Sequence, residues 1–303
     1  MKTKATVITT IKQLAILASL ALCSGVSSFS SYGNSYYYDF CPTEFTVNTD
    51  TLAWQANRNN LQTIPIQVNF SKRTDTCVTH ILFYTDNNTS LVLSNGTDDI
   101  ETDLVDRQRN FYAQYSIDGR IAWAVPIYRK KRLKVWAQLR TTEAQIAGNY
   151  TGITSVVASY YGYHISPEVW TSVNAEVPSI LDVSVPTSGA VSGSGSYYYV
   201  ELGTLYNGSS ANWQINIYSN VHYNVNVASE NRGLKHESSN ALIPYTVEMD
   251  GTVFDAASGY SKGYTNYNPL STSSIPFKVN VTDVDFKPAG RYIDNLIVTV
   301  SAR

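Results

Sequence analysis

Ala147-Gly148-Asn149-Tyr150 opens the stretch AGNYTGITSVVASYY, residues 147–161, and Ala289-Gly290-Arg291-Tyr292 opens AGRYIDNLIVTVSAR, residues 289–303. Each is a glycine turn, a tyrosine and then a long strand-like run rich in β-branched residues. They lie one domain length apart, so the chain reads as two copies of one β module. Working outward, Ile64, Ile66, Val68 and Phe70 alternate with polar partners, and so do Leu133, Val135, Ala137 and Leu139. Trp213, Ile215 and Ile217, then Tyr223, Val225 and Val227, then Phe277, Val279 and Val281 repeat the pattern. Short alternating runs broken by Gly, Asn, Asp and Ser mean a sandwich or barrel.

The fold class expected is therefore all-β, with two immunoglobulin-like antiparallel β-sandwich domains. Composition agrees: there are 23 tyrosines and only two methionines, and helix-period stripes are hard to find. The expected boundaries are an N-terminal domain over 29–165, a linker over 166–178 carrying Pro167 and Pro178, and a C-terminal domain over 179–303. The Gly/Ser stretch 188–196 is expected to be a flexible loop.

Residues 1–28 read as an export signal. Lys2, Lys4 and Lys12 give a basic start, Leu14 to Leu22 a short apolar run, and Val26-Ser27-Ser28 a cleavage site before Phe29. The run is too short for a membrane span. Cys23 invites a lipoprotein reading, which Leu22 before it disfavours. Cleavage leaves 19 basic against 24 acidic residues, a balance that argues against nucleic acid as a partner. The cysteines left, Cys41 and Cys77, are expected to pair as a disulfide in an oxidising compartment, with two buried thiols as the alternative.

Enzyme signatures are absent: there is no Gly-x-Ser-x-Gly and no His-Glu-x-x-His, and His80, His164, His222 and His236 are scattered. His80 lies in a strand pattern and reads as structural. Asp98, Asp99, Asp103 and Asp106 read as a solvated loop and Asp283 with Asp285 as a turn, with no EF-hand spacing. No catalytic residue, metal or cofactor is expected. Binding features are stronger. Tyr128, Arg129, Lys130, Lys131, Arg132, Lys134, Trp136 and Arg140 mix charge with aromatic rings and suit anionic glycans or acidic surfaces, with a solvated strand edge as the alternative. Tyr36, Tyr37 and Tyr38 form a second aromatic set; Phe111, Tyr112, Tyr115 and Trp123 form a third, of which at least half are expected in the core. The surface-binding candidates are thus Tyr36, Tyr37, Tyr38, Tyr112, Trp123, Lys130, Lys131 and Trp136.

The C-terminal half resembles the spore-coat-protein-U type domain of archaic chaperone–usher pili, through ELGTLYNGSS, NWQINIYSNVHYNVNVASENRGLKHES, IPYTVEMDG and PAGRYIDNLIVTV in that order. The N-terminal half resembles it more loosely, through IPIQVNFSKRTDTC, HILFYTDNN and AGNYTGITSVV, and departs in its Tyr-rich lead-in and the basic YRKKRLKVW. Two such domains look like the tip adhesin of these pili, as shaft subunits of the family usually have one. The resemblance implies a C-terminal sandwich one strand short, completed by a periplasmic chaperone and then by an adjacent pilin subunit, a form of β-augmentation. Tyr292, Leu296, Val298 and Val300 would form the docking face. The partners implied are that chaperone, an outer-membrane usher, the neighbouring pilin and an unknown surface or glycan receptor; the location implied is the cell surface, at a pilus tip. A structural pilus or spore-coat-like subunit without specific binding is the alternative.

Overall fold

The computed structural model describes residues 4–14, 44–55, 61–74, 77–85, 90–117, 119–141, 145–187, 189–266 and 270–303, the first of these segments for its backbone only. Among the described residues there are strands, turns and no helix. The chain divides into two compact units, one of residues 20–178 and one joining residues 1–19 to 179–303. Strand β1 is Lys4–Leu14. The first domain then contributes β2 (Phe45–Thr49), β3 (Thr51–Ala53), β4 (Thr63–Phe70), β5 (His80–Tyr84), β6 (Leu91–Ser94) and β7 (Asp99–Val105). It continues with β8 (Gln114–Ile117), β9 (Arg120–Pro126), β10 (Arg132–Leu139), β11 (Gly148–Tyr160), β12 (Tyr163–His164) and β13 (Val169–Val177). The second domain has β14 (Leu181–Ser184), β15 (Val191–Ser194), β16 (Tyr197–Thr204), β17 (Ser210–Ser219), β18 (Tyr223–Ser229) and β19 (Leu234–His236). It ends with β20 (Leu242–Ile243), β21 (Tyr245–Met249), β22 (Thr252–Asp255), β23 (Tyr260–Tyr264), β24 (Ser271–Val281) and β25 (Arg291–Ala302).

In the first domain the strands run β2–β4–β10–β7–β6–β11–β5–β9–β8, with β13 added to β11. The core lies between the two halves of this path. Ile64, Ile66 and Val68 from β4 and Val135 from β10 meet Ile81 and Phe83 from β5 and Val156 from β11 in one buried cluster. The alternation read in the sequence is what sends one face of each strand inward.

The second domain stacks β14–β17–β24–β21–β22 against β15–β16–β1–β25–β18–β23. Its core joins Trp213, Ile215 and Ile217 of β17 to Val225 and Val227 of β18 and Leu296, Val298 and Val300 of β25. Full burial of such side chains stabilises by roughly 1.5–3 kcal/mol each.

The repeat has a physical basis. Tyr150 donates its hydroxyl to the Ile146 carbonyl at 2.8 Å, and Tyr292 donates to the Pro288 carbonyl at 2.7 Å. Both bonds reach back four residues, the tyrosine corner of immunoglobulin-like sandwiches. The glycines serve this corner differently. Gly148 has φ of 150°, in the region that favours glycine. Gly290 leaves room for the His236 ring, which a Cβ there would meet. Tyr292→Phe is expected to lower the stability of the second domain by about 1 kcal/mol, the net worth of one such bond, read as a shift of denaturation midpoint at unchanged slope.

Three expectations need correction. Residues 166–178 are not a linker: β13 pairs antiparallel with β11 from Gly148↔Val177 to Val156↔Val169. Its alternating Val173, Ala175 and Val177 are buried, which is why the prolines bracket a strand and do not punctuate a loop. Within the stretch expected to be a flexible loop, residues 191–194 form β15 and pair with β16. Asp99 and Asp103 are not in a solvated loop but in β7, where Asp103 receives two bonds from Arg140, at 2.7 and 2.6 Å, and Glu101 completes the ion pair.

Candidate functional site

Two regions carry the chemistry. The first lies in the second domain, between β16 and β25. In the first domain the corner strand β11 has β5 on one edge and β13 on the other. In the second domain the equivalent corner strand β25 has β18 on one edge. Among the described residues of 179–303 no strand is a counterpart of β13 on its other edge. That position is held by β1, which pairs with β25 from Lys4↔Arg291 to Leu14↔Ser301 and with β16 from Lys4↔Thr204 to Thr10↔Tyr197. The directions differ. β13 runs antiparallel to β11, whereas β1 runs parallel to β25 and antiparallel to β16. Tyr292, Leu296, Val298 and Val300 are wholly buried on the inner face of β25, and Val200 of β16 faces the same core.

The expectation of an unfilled position is thus altered: the chain's own first residues occupy it. They come from the segment read as an export signal. The greater part of that signal's apolar run, like Tyr36, Tyr37, Tyr38 and Cys41, lies outside the described residues. Cys77 is half-buried against the core of the first domain, and its pairing with Cys41 stays a proposal.

The second region is the end of the first domain where β11 finishes. Thr79 accepts from the Tyr161 backbone at 2.8 Å through its hydroxyl, and its own N–H reaches the Ser159 carbonyl at 2.9 Å. Thr74 donates to the Lys130 carbonyl at 3.0 Å. These two threonines tie three connections together: that between β4 and β5, that between β9 and β10, and the β11–β12 hairpin. Lys130 and Lys131 are exposed here. Trp136 is half-buried on β10, with Lys134 Nζ 5.7 Å from its ring. Trp123 corrects an expectation: it is 2% exposed on β9, in the core, because β9 lies between β5 and β8 as an inner strand. Tyr112 is half-buried against the same core. Sequence reasoning missed Tyr161 and Tyr163, exposed by 71% and 77%. Their position after a long apolar run hid them, although the intervening Gly162 marks a turn.

A polar cluster lies on the same domain. Arg120 donates to Ser155 and Glu168, each at 2.9 Å, and stacks over the Tyr84 ring at 4.3 Å. Tyr84 bonds His164 at 2.6 Å. Burial works to raise the Glu168 pKa, but the bonds from Arg120 and Ser155 and the charges of Arg120 and His164 together hold it below the ordinary value. Ser155 is held by Arg120 while His164 is held by Tyr84, so the cluster is built as a clamp between strands. Among the described residues no group of three or more His, Cys, Asp or Glu is placed to hold a metal ion.

No protein-family model and no curated protein matches the chain. Solved structures do match in fold. One is the CsuC–CsuE chaperone–tip adhesion subunit pre-assembly complex from archaic chaperone–usher Csu pili of Acinetobacter baumannii, at 12% identity over 83% of this chain and 96% of that chain, with a TM-score of 0.36. A mutant of the CFA/I adhesin CfaE of enterotoxigenic Escherichia coli matches at 9% identity over 84% and 96%, with a TM-score of 0.38. AggA, the major subunit of aggregative adherence fimbriae type I from Escherichia coli, matches at 14% identity over 48% and 100%, with a TM-score of 0.32.

Proposed function

We propose that this chain is an exported, non-catalytic adhesin of a chaperone–usher pilus, standing at the fibre tip. Its first domain binds a surface or receptor. Its second domain joins the fibre by accepting a strand from another polypeptide. One observation carries the reading: the second domain's own residues leave a strand position open beside its corner strand, while the first domain fills the same position with β13. What sits there, β1, belongs to a segment with the features of a cleavable signal. Cleavage before Phe29 would empty the position, and a periplasmic chaperone, then a neighbouring pilin subunit at the usher, would fill it in turn. The first domain, completed by its own chain, needs no such partner, which suits a terminal subunit.

The test is assembly and position together. Residues 29–303 co-expressed with the chaperone of a chaperone–usher system are expected to be recovered as an equimolar complex. Labelled chain in assembled fibres is expected at their ends, in low copy. Loss of the first domain should abolish attachment and leave fibre joining intact. Labelling along the whole fibre would overturn the tip assignment in favour of a structural subunit. Recovery as a stable monomer indifferent to any chaperone would overturn the pilus reading itself.

A further inference from the structure

We propose that the end of the first domain built from the β4–β5 and β9–β10 connections and the β11–β12 hairpin is a binding surface for an anionic polysaccharide. The inference rests on the reading of this domain as the binding one and names its class of ligand.

Placement comes first. β13 leaves the domain at Val177, opposite Gly148 at the start of β11, while the hairpin sits beyond Ser159 near its end. A strand of that length spans roughly 40 Å at about 3.3 Å per residue. The surface is therefore at the far end of its domain from the point where the chain leaves it.

Charge comes next. Lys72, Arg73, Arg129, Lys130, Lys131 and Arg132 are all exposed there. Among the described residues the cations in ion pairs are Arg120, Arg140, Lys262 and Arg291, so none of these six is neutralised by a described partner. Among the described residues the acidic group nearby is Glu44, whose backbone carbonyl meets the Ser71 N–H at 3.4 Å. Concentrated cations on a chain with an acidic surplus give the field that draws an anionic polymer.

The aromatic groups choose among anions. Tyr128, Tyr161 and Tyr163 are 60%, 71% and 77% exposed. Arg129 lies 5.1 Å from the Tyr128 ring, and Tyr160 packs edge-on against Tyr161 at 4.8 Å. Tyrosine offers a flat face for a sugar ring and a hydroxyl for its hydrogen bonds, at low entropic cost. A lipid-inserting tip would want Phe, Leu or Trp at these positions. Arg129 and Tyr161 both hold left-handed backbone, with φ of 50° and 47°. Such backbone is uncommon in bulky residues, and it lies beside the threonine ties, with the Thr79 hydroxyl accepting from the Tyr161 N–H and Thr74 bonding the Lys130 carbonyl.

The experiment measures binding of the full chain to dextran sulfate and hyaluronan, with neutral dextran and anionic phospholipid vesicles as comparisons. Binding to a charged polysaccharide that weakens with salt is expected, with neutral dextran inert. Lys130→Gln with Lys131→Gln should weaken it by about tenfold, the scale on which a focused charge cluster acts. Tyr161→Ala with Tyr163→Ala should weaken it at unchanged melting temperature. No binding to either charged polymer, binding indifferent to both variant pairs, or stronger binding to vesicles would overturn the proposal. Strand acceptance by the second domain is measured separately. If that fails while polysaccharide binding stands, the pilus reading falls and the surface survives.

Discussion

Removing residues 1–28 is expected to lower the melting temperature of the second domain by about 10 °C or more and to make the protein aggregate. The physical case is local. β1 pairs along one whole edge of β25 and along most of β16. Without it, two strands in the middle of a sheet present unpaired N–H and C=O groups, and the core beneath them opens to water. Unpaired edges beside apolar surface template association with other chains, and each unmet backbone group taken from water costs about 1–3 kcal/mol. Domain stability is only about 5–15 kcal/mol in total, so an open position of this length consumes much of it. Adding a peptide of the sequence Lys4–Leu14 should restore stability, rising with the logarithm of its concentration above the dissociation constant, as mass action requires. A strand appended after Arg303 through a short turn should restore it more fully, because the closure then becomes intramolecular. That strand would run antiparallel to β25, as β13 runs against β11. Equal rescue in both directions would mean that the position selects for extended apolar chain and not for one polarity. Soluble, cooperatively unfolding 29–303 with no gain from either donor would remove the physical basis of the fibre-joining role.

What could be read before the structure follows from what each signal reports. Alternation reports one buried face, so β4, β10, β17, β18 and β24 were legible from period alone. The corner tyrosines Tyr150 and Tyr292 were visible as a repeat, since their bonds to Ile146 and Pro288 are local in sequence. Pairing is not local. β13 alternates as clearly as the others, but Pro167 and Pro178 around it carry the stronger punctuation. Nothing in the order of residues says that Lys4–Leu14 lies beside β25. Its basic start obeys the rule for an export signal, while six consecutive β-branched residues, Thr6 to Ile11, make it an apt strand. The binding surface was half legible. The cations stand together in sequence, whereas Tyr161 and Tyr163 join them only because Thr79 folds the hairpin onto the same end.

Asp294 presents the largest single-residue effect. It interrupts the apolar inner face of β25 between Tyr292 and Leu296 and is wholly buried, where a carboxylate is tolerated only if its oxygens are satisfied. Four donors converge on it. Ser229 and Tyr245 give their hydroxyls at 2.5 Å each, and the backbone N–H groups of Asn231 and Asn295 give theirs at 3.0 and 2.9 Å. Burial, reinforced by the charge of Asp294, raises the Tyr245 pKa far above its ordinary value, so Tyr245 stays a donor throughout the physiological range. The carboxylate thereby ties the end of β18 and the turn after it to β21 in the facing sheet. Asp294→Ala would strand these donors in the core and is expected to cost about 3–5 kcal/mol, the range for breaking one side of a buried charged network. Tyr245→Phe removes one bond of the four and should cost about 1.5–3 kcal/mol. Combining the two should cost less than their sum, because the alanine variant has already orphaned the tyrosine. Denaturant unfolding of the full chain measures all three. A loss under about 1 kcal/mol for Asp294→Ala, or strict additivity in the pair, would show that the carboxylate does not hold the sheets together and that hydrophobic packing around β25 suffices.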